Sequence, residues 1–311
     1  MALPDAEAVA MDMELPMVKV PSILRHYYEL TKPGISQMVA MSTLAGYYLA
    51  IPGGVTHYAL TGANWVHFFS TMIGTLAISS GSCVVNHIME KEADSRMKRT
   101  ATRPIPAGII SVRDAIVFAS VLTLVGAALL ATINVLTFLL AIGTWVSYVA
   151  VYTPMKQKSS LAVIIGGVPG ALPFAGGWTA VRGTMDPIAW ALFAILLFWQ
   201  LPHFYALSWM YRSDYKAGGF VLRAISDDSG RTLGLQMTVT SVLTLASIVV
   251  PTMLGVTGML YLVGSIALGL WLVAESALFV RKADAAAARR VLLTSYAVLM
   301  GVILLMFLDK Q

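Results

Sequence analysis

Charged side chains are scarce in this 311-residue chain, since Asp, Glu, Lys and Arg together make up only 12% of it. Soluble domains contain about 25% of these residues, so about half of the usual surface charge is missing. Hydrophobic residues make up 58% of the chain, and the mean hydropathy is +0.76. This composition excludes a disordered chain and an ordinary soluble enzyme, and it predicts an integral membrane protein.

Cysteine is also nearly absent, because Cys83 is the only one. A single cysteine excludes an internal disulfide, and its place within an apolar run predicts a small buried hydrophobic side chain. The amino-terminal segment lacks a signal-peptide pattern, since four acidic residues interrupt any apolar core. The same acidic residues argue against a transit peptide, which favours a bacterial inner membrane over a mitochondrial one.

Nine apolar runs approach the length of about 20 residues that a helix needs to cross a bilayer. The sequence therefore predicts an all-α membrane protein in which a single domain, residues 32–311, follows a cytoplasmic tail, residues 1–31. The predicted spans are 35–51, 68–85, 115–131, 134–152, 161–180, 188–211, 236–257, 259–280 and 291–308. The third and fourth spans meet at Thr132 and Ile133, so a tight helical hairpin is expected there. The fifth is expected to be kinked or broken, because it contains five Gly and two Pro.

The basic residues are distributed so unevenly that they predict an orientation. With the amino terminus in the cytoplasm, 19 of the 21 Lys and Arg residues fall on the cytoplasmic side, and only Arg182 and Lys310 do not. This distribution agrees with the positive-inside rule and places the carboxyl terminus outside. It also explains the net charge of +5 without a nucleic-acid partner. Glu275, the one charged residue within the predicted spans, is expected to extend toward Arg281 or Lys282.

The connection after the second span is richer in polar side chains than a simple loop requires. If the helix continues through it, Asn86, Glu90 and Asp94 recur every four residues and line one stripe. Mg²⁺ prefers oxygen ligands and is commonly shared between carboxylates and substrate phosphates. The pattern predicts a metal–diphosphate site, but a solvated, salt-bridged helix end explains the spacing about equally well. The basic residues beside the stripe, which suit phosphate binding, are Arg96, Lys98, Arg99 and Arg103.

A second polar segment extends from the sixth span into the loop that follows. Pro202 is expected to kink this helix next to His203. An ionisable residue inside a membrane is a candidate functional residue, and a neutral His bonded to a neighbouring helix is the alternative. Asp214 is a candidate metal ligand, and its alternative role is pairing with Arg212 or Lys216.

Together these segments closely resemble the heme O synthases, or protoheme IX farnesyltransferases, a branch of the UbiA superfamily of intramembrane prenyltransferases. The matching elements follow the family order over about residues 28–220. The second Asp-x3-Asp of the wider superfamily is reduced here, because Gly218 stands four residues after Asp214. The matching elements are Leu30-Thr31-Lys32-Pro33, Asn86-x3-Glu90-x3-Asp94, Met97-x-Arg99-Thr100-x2-Arg103-Pro104, Tyr152-Thr153-Pro154-Met155-Lys156, Gly167-Val168-Pro169-Gly170-Ala171-Leu172-Pro173, Pro202-His203-Phe204 and Asp214-Tyr215-x2-Gly218-Gly219.

The resemblance implies a nine-helix UbiA-type bundle with a central cavity that opens to lipid. It implies transfer of the farnesyl group of farnesyl diphosphate to a vinyl group of heme b, which gives heme O for heme A biosynthesis and terminal oxidases. Heme b is then a substrate and not a prosthetic group, and Mg²⁺ is the cofactor. A heme A synthase or the assembly machinery of a terminal oxidase is the implied protein partner.

The resemblance also implies a role for each matched residue. His203 matches a histidine that faces or ligates heme iron, and Tyr215 is a substrate-binding candidate beside the second motif. The catalytic and metal-binding candidates are Asn86, Glu90, Asp94 and Asp214. The candidates for phosphate binding are Arg96, Arg99, Arg103 and Lys156.

Three other functions stay open on the sequence alone. A UbiA-type enzyme that prenylates a quinone precursor is expected to keep the second Asp-x3-Asp. A secondary transporter is expected to have ionisable groups near the membrane midplane and repeat symmetry, whereas the charges here gather at one face. A noncatalytic heme carrier or assembly protein would bind heme without consuming farnesyl diphosphate.

Overall fold

The computed structural model describes residues 22–52, 58 and 62–311. Most of the predicted tail, residues 1–21, therefore lies outside the described residues. The part that is described consists of helices and their connections, and it contains no β-strand. In chain order the helices are α1 Ile23–Leu30, α2 Pro33–Ala50, α3 Gly62–Met89, α4 Lys91–Arg96, α5 Val112–Ala131, α6 Val135–Val146, α7 Ala162–Arg182, α8 Pro187–Met210, α9 Arg212–Ala217, α10 Arg223–Ser226, α11 Arg231–Met253, α12 Met259–Lys282 and α13 Ala285–Leu308.

Eight of the described helices are long and apolar enough to span a membrane, namely α3, α5, α6 with its extension to Met155, α7, α8, α11, α12 and α13. They coincide with the second to ninth predicted spans. The first predicted span coincides with α2, which has 18 residues but is more polar. Its Gln37 and Ser42 face an internal cavity, which explains the lower hydropathy. The all-α membrane fold is confirmed, and the count of nine spans stays a prediction.

The hairpin between α5 and α6 is as tight as the sequence predicts. α5 ends at Ala131 and α6 begins at Val135. Asn134 caps α6, because its side chain accepts a hydrogen bond from the Thr137 N–H at 2.8 Å. Its amide also donates to the Thr179 carbonyl of α7 at 3.0 Å. One asparagine therefore starts α6 and ties the hairpin to the next span.

The helix α6 continues through a π-helical turn, Ser147–Tyr152, and ends at Met155. A π-helical turn is wider than an α-helical one and is often found at functional sites. Two aromatic rings of this turn, Tyr148 and Tyr152, line the cavity with their centroids 5.3 Å apart. Thr153 follows, and its hydroxyl donates to the Tyr148 carbonyl at 2.8 Å.

The helix α7 is continuous, so a break in the fifth span is wrong, and a kink at Pro169 or Pro173 stays a prediction. Its glycines instead allow close approach of neighbouring helices. A Cβ atom on Gly177 would lie 2.0 Å from the Thr43 carbonyl oxygen of α2, and one on Gly170 would lie 2.2 Å from Gln200 Oε1 of α8. Gln200 also donates to the Gly167 carbonyl at 2.7 Å. Small residues and polar bonds between helices are how membrane helices accommodate such sequences.

Glu275 of α12 is paired with Arg290 of α13, whose Nε lies 3.0 Å from Glu275 Oε2. The predicted pairing with Arg281 or Lys282 is therefore wrong. Arg281 and Lys282 lie six and seven residues farther along the same helix, which corresponds to a rise of about 9–10.5 Å. The neighbouring helix of the hairpin brings a cation closer. Cys83 is 1% exposed, as expected of a small buried side chain.

Candidate active site

A cavity of about 800 Å³ lies within the bundle. Apolar and aromatic side chains, including Leu140, Trp145, Leu172, Leu196 and Phe204, line most of its wall. The charged residues of the lining come from the ends of helices and the loops beside them. A cavity with these two parts suits an amphiphilic ligand that has a long apolar chain and an anionic head. The charged residues are Lys32, Glu90, Asp94, Arg99, Arg103 and Lys156.

The stripe predicted from the four-residue spacing forms, and two of its three members face the cavity. Although α3 and α4 meet at Glu90, helical hydrogen bonds continue through the joint. The Glu90 N–H donates to the Asn86 carbonyl at 3.0 Å, and the Asp94 N–H donates to the Glu90 carbonyl at 2.7 Å. Glu90 and Asp94 line the cavity and are only 7% and 1% exposed.

Asn86, the first member of the stripe, is fully buried and does not line the cavity. Its Oδ1 accepts a hydrogen bond from Lys32 Nζ, and its Nδ2 donates to Thr153 Oγ1 at 3.0 Å. Lys32 was not among the predicted site residues. It has a φ of 50° just before Pro33, and such backbone strain in a residue other than glycine concentrates at functional sites. The sequence signal that could have identified Lys32 as a site residue is its place in the matching element Leu30–Pro33.

Both carboxylates in the cavity are paired with cations. Lys156 Nζ lies 2.7 Å from Glu90 Oε1. Arg103 Nη1 lies 2.9 Å from Asp94 Oδ1 and 2.8 Å from Asp94 Oδ2. Isolated charges are strongly destabilising in a protein interior, so each pair allows both of its members to stay ionised there.

The protonation equilibria follow from burial and from these pairs. Burial raises the pKa of the Glu90 carboxyl, but the Lys156 and Lys32 ammonium groups outweigh burial and hold this pKa below its usual value. Burial lowers the pKa of Lys156, but the Glu90 carboxylate outweighs it and leaves this pKa well above its usual value. For Lys32 burial dominates and lowers the pKa to about 8.

Asp214, on α9, does not line the cavity but fixes a residue that does. Its Oδ2 accepts a hydrogen bond from the Arg99 backbone N–H at 3.2 Å. The Arg99 guanidinium lies 5.2 Å from the ring centroid of Tyr211 and 6.0 Å from that of Tyr215, within the range of a cation–π contact. Arg99 and both tyrosines line the cavity.

Seven of the ten predicted site residues therefore meet around one cavity. The three that do not line it are Asn86, Asp214 and Arg96. Arg96 is exposed, and its Nη2 lies 3.4 Å from the Gly218 carbonyl oxygen. The seven are Glu90, Asp94, Arg99, Arg103, Lys156, His203 and Tyr215. Their roles stay predictions.

His203 lies in the wall of the cavity on α8, which includes Pro202 as one helix. Its Nδ1 lies 2.9 Å from Ser295 Oγ of α13. The ring packs edge-on against Tyr296, with centroids 4.8 Å apart, and at a tilt against Trp199, with centroids 5.3 Å apart. The sequence left two alternatives for His203, a functional residue or a neutral residue bonded to a neighbouring helix. In the structure it both lines the cavity and contacts the neighbouring helix.

No three His, Cys, Asp or Glu side chains among the residues that the structure describes form a complete metal cage. The two buried carboxylates at the charged end still fit Mg²⁺, because this ion is usually bound by one or two carboxylates together with substrate phosphates. The adjacent Lys and Arg side chains fit phosphate oxygens. Residues of these types therefore suit a metal diphosphate.

This chain is similar to known prenyltransferases in sequence and in fold. The family model of the UbiA prenyltransferase family matches residues 39–304. The protoheme IX farnesyltransferase of Solibacter usitatus (strain Ellin6076) is 35% identical over 297 residues, which cover 92% of this chain and 99% of that protein. A structure of digeranylgeranylglyceryl phosphate synthase is similar with a TM-score of 0.72 and 19% identity, over 92% of this chain and 97% of the other. A UbiA homologue from Archaeoglobus fulgidus, bound to GPP and Mg²⁺, is similar with a TM-score of 0.59 and 14% identity, over 91% of this chain and 99% of the other.

Proposed function

The chain belongs to the UbiA prenyltransferase family, and on this premise we propose that it transfers the farnesyl group of farnesyl diphosphate to a vinyl group of heme b. The product is heme O with a hydroxyethylfarnesyl group, and diphosphate is released. The observation that carries the proposal is a single cavity that joins buried, paired charges to an apolar wall containing His203. The names of the relatives, protoheme IX farnesyltransferases, support the choice of acceptor.

The diphosphate binds at the charged end of the cavity, to Lys156, Arg103 and Arg99. These cations stabilise the negative charge that develops as the allylic carbon–oxygen bond breaks. Phosphate oxygens that bind Lys156 and Arg103 would leave the carboxylates of Glu90 and Asp94 free to hold Mg²⁺. The ion would supply Lewis-acid stabilisation of the leaving group, and a UbiA homologue with this fold is bound to GPP and Mg²⁺.

Asn86 and Asp214 are also proposed as metal-binding residues, and each first has to give up its present partner. Asn86 Oδ1 bonds Lys32, and Asp214 Oδ2 bonds the Arg99 backbone. Arg96 and Tyr215 are proposed substrate-binding residues. Tyr215 lines the cavity, whereas Arg96 would have to turn inward from Gly218.

The apolar wall holds the farnesyl chain and keeps water from the allylic cation. The rings of Trp145, Tyr148 and Tyr152 line this wall, and aromatic faces attract a cation. The electron-rich vinyl group of heme b attacks the farnesyl carbon, and water adds to the neighbouring vinyl carbon and loses one proton, which leaves the hydroxyl group. His203 faces the heme.

The proposed setting is a bacterial inner membrane that the chain crosses several times. The amino terminus and the charged end of the cavity face the cytoplasm, and the carboxyl terminus lies outside, because 19 of the 21 Lys and Arg residues then obey the positive-inside rule. Residues 1–31 are the cytoplasmic tail, and residues 32–311 are the catalytic domain. A heme A synthase or the assembly machinery of a terminal oxidase receives the product.

The test is an incubation of membranes with heme b, farnesyl diphosphate and Mg²⁺, followed by HPLC–mass spectrometry of the hemes. Wild type is expected to form farnesylated heme, and Asp94→Ala to form at least about 100-fold less. Glu92→Ala is the matched control, because Glu92 lies on the same short helix but is exposed. A folded wild-type protein that binds heme and makes no farnesylated heme would instead be a heme carrier. In a parallel incubation a quinone precursor replaces heme b, and a prenylated product from that incubation alone would identify a different acceptor.

A further inference from the structure

Two hydrogen bonds from one turn of α8 end on the same residue of α13. Trp199 Nε1 donates to the Ser295 carbonyl at 2.6 Å, and His203 Nδ1 lies 2.9 Å from the Ser295 hydroxyl. Ser295 is fully buried, and it belongs to none of the sequence motifs. A single serine therefore holds both the backbone spacing of the two helices and the orientation of the His203 ring.

The direction of the bond between His203 and Ser295 follows from a third contact. Ser295 Oγ lies 2.6 Å from the Leu292 carbonyl oxygen, three residues earlier on α13. Two oxygen atoms at this distance need a proton between them, so the only hydroxyl proton of Ser295 points to Leu292. The hydroxyl can then only accept a hydrogen bond from His203. The geometry therefore assigns the proton of a neutral imidazole to Nδ1 and leaves the lone pair on Nε2.

The remaining surroundings of His203 leave this lone pair available. Aromatic rings of Trp199, Phe204 and Tyr296 pack against the imidazole. Among the described residues no side chain or backbone group bonds Nε2, and the ring lines the cavity. A histidine that binds a metal through one nitrogen usually donates the other N–H to a partner that fixes its tautomer and orientation.

We propose that Ser295 is a positioning residue that holds His203 in the Nδ1–H form, so that Nε2 ligates the iron of a heme acceptor. The inference rests on the proposed function, because it requires heme in this cavity. It adds a basis for acceptor selection, since a porphyrin without iron gains nothing from the Nε2 lone pair. The protein therefore prefers an iron porphyrin to a metal-free one.

The experiment compares binding of ferric heme b and of metal-free protoporphyrin IX to the purified full chain in lipid nanodiscs. Ser295→Ala is expected to weaken heme binding about 10- to 100-fold and to shift the Soret band toward that of His203→Ala. Its affinity for protoporphyrin IX is expected to stay at the wild-type value. Ser295→Thr retains a hydroxyl and should restore the wild-type heme spectrum.

Ser247→Ala is the matched control. Ser247 is also a buried serine whose hydroxyl donates to the carbonyl three residues earlier, that of Thr244, at 2.8 Å, but it contacts no imidazole. This variant should bind both porphyrins as the wild type does. If Ser295→Ala does not fold, NMR of the wild type labelled with ¹⁵N-histidine identifies the protonated nitrogen of His203 directly.

The outcomes separate this inference from the proposed function. If Ser295→Ala binds heme as Ser247→Ala does while His203→Ala alters affinity and spectrum, Ser295 has no positioning role and heme ligation by His203 stands. Equal losses for heme and protoporphyrin IX also contradict the inference, because they indicate a collapsed pocket. A proton found on Nε2 contradicts it too. A wild type that does not bind heme overturns the proposed function along with it.

Discussion

Lys156 Nζ lies 2.7 Å from Glu90 Oε1, although the two residues are 66 positions apart in the chain. Their side chains are only 15% and 8% exposed. The contact joins the end of the extended α6 helix to the joint between α3 and α4, at the charged end of the cavity. Neither charge can be removed alone without leaving the other one buried and unpaired.

Replacing Lys156 should therefore harm both stability and activity. Lys156→Met leaves the Glu90 carboxylate without its cation, and we expect a loss of about 3 kcal/mol in the free energy of unfolding. The same change removes a phosphate-binding cation, so kcat/KM for farnesyl diphosphate should fall about 100-fold. Thermal unfolding and steady-state kinetics measure the two effects. The control is Lys158→Met, which changes an exposed lysine of the same loop. Equal activity of the two variants would contradict the proposed role.

The two ion pairs also predict that metal and diphosphate bind cooperatively. Metal alone has to take Glu90 and Asp94 from their cations, and diphosphate alone has to take Lys156 and Arg103 from their carboxylates. When both bind, all four charged groups find new partners. A nonreactive farnesyl diphosphate analogue should therefore raise the affinity for Mn²⁺, a spectroscopic substitute for Mg²⁺, by about 5- to 150-fold.

Electron paramagnetic resonance of free Mn²⁺ measures this coupling without any turnover. Asp94→Asn should abolish most of the coupling, because one of the exchanged carboxylates is missing. Glu92→Gln, a change in an exposed side chain nearby, should keep it. Identical Mn²⁺ affinities with and without the analogue in wild type would show that the ion pairs are not exchanged.

Two adjacent glycines of α7 should respond very differently to the same substitution. A Cβ atom on Gly177 would lie 2.0 Å from the Thr43 carbonyl oxygen, whereas one on Gly176 would have no atom within 4 Å. Backbone cannot yield as a side chain can, so Gly177→Ala should separate α2 from α7 and lower the yield of folded protein sharply. Gly176→Ala should be close to wild type. Thermal stability in detergent compares them, and similar values for both would contradict the close packing.

A pH effect is expected at the start of α11. Asp227 Oδ2 accepts a hydrogen bond from the Leu233 N–H at 2.8 Å, and its Oδ1 accepts one from the Ser229 hydroxyl at 2.9 Å. Burial raises the pKa of Asp227, but hydrogen bonds to the carboxylate outweigh burial and lower this pKa. Its stabilising contribution is therefore complete above the unfolded pKa of about 3.9 and is lost as pH falls through the folded pKa.

Asp227→Asn should lower stability by about 1 kcal/mol at pH 7 and should weaken the loss of stability in acid. Its neighbour Asp228 is exposed, so Asp228→Asn serves as the control. Thermal unfolding between pH 3 and pH 7 distinguishes the two. An Asp227→Asn protein with the acid sensitivity of wild type would show that this carboxylate does not contribute.

Helix order and most helix bounds could be predicted because a bilayer requires long apolar runs, which are visible in the sequence. Glu90 and Asp94 could also be predicted from their spacing, and Arg99 and Arg103 from their place beside that stripe. Lys156 and Tyr215 were predicted as site residues only through the family resemblance. The sequence did not show whether the glycines of α7 would break the helix or allow close packing. The same residues that break a helix in isolation also allow close packing, and only the neighbouring helices decide between the two outcomes.

Contacts between distant segments explain the other differences. Lys32 reaches Asn86 across 54 positions, and Asp214 reaches the Arg99 backbone across 115. The local sequence pattern contains no information about which polar groups from distant segments will contact each other. Ser295 shows this limit of sequence-based prediction most clearly. A serine within an apolar helix is ordinary in membrane proteins, and only its contact with His203 in the structure distinguishes it.

The π-helical turn Ser147–Tyr152 determines which deletions in α6 the site can tolerate during evolution. It is about the size of an α-helical turn with one residue added. Deleting one residue in this turn would therefore turn it into an α-helical one and leave the direction of the following residues nearly unchanged. Lys156 comes just after the turn and would stay beside Glu90. A deletion in the regular part of α6 would instead rotate Lys156 by about 100° around the helix axis. A lineage can therefore shorten α6 by one residue at this turn without losing the ion pair.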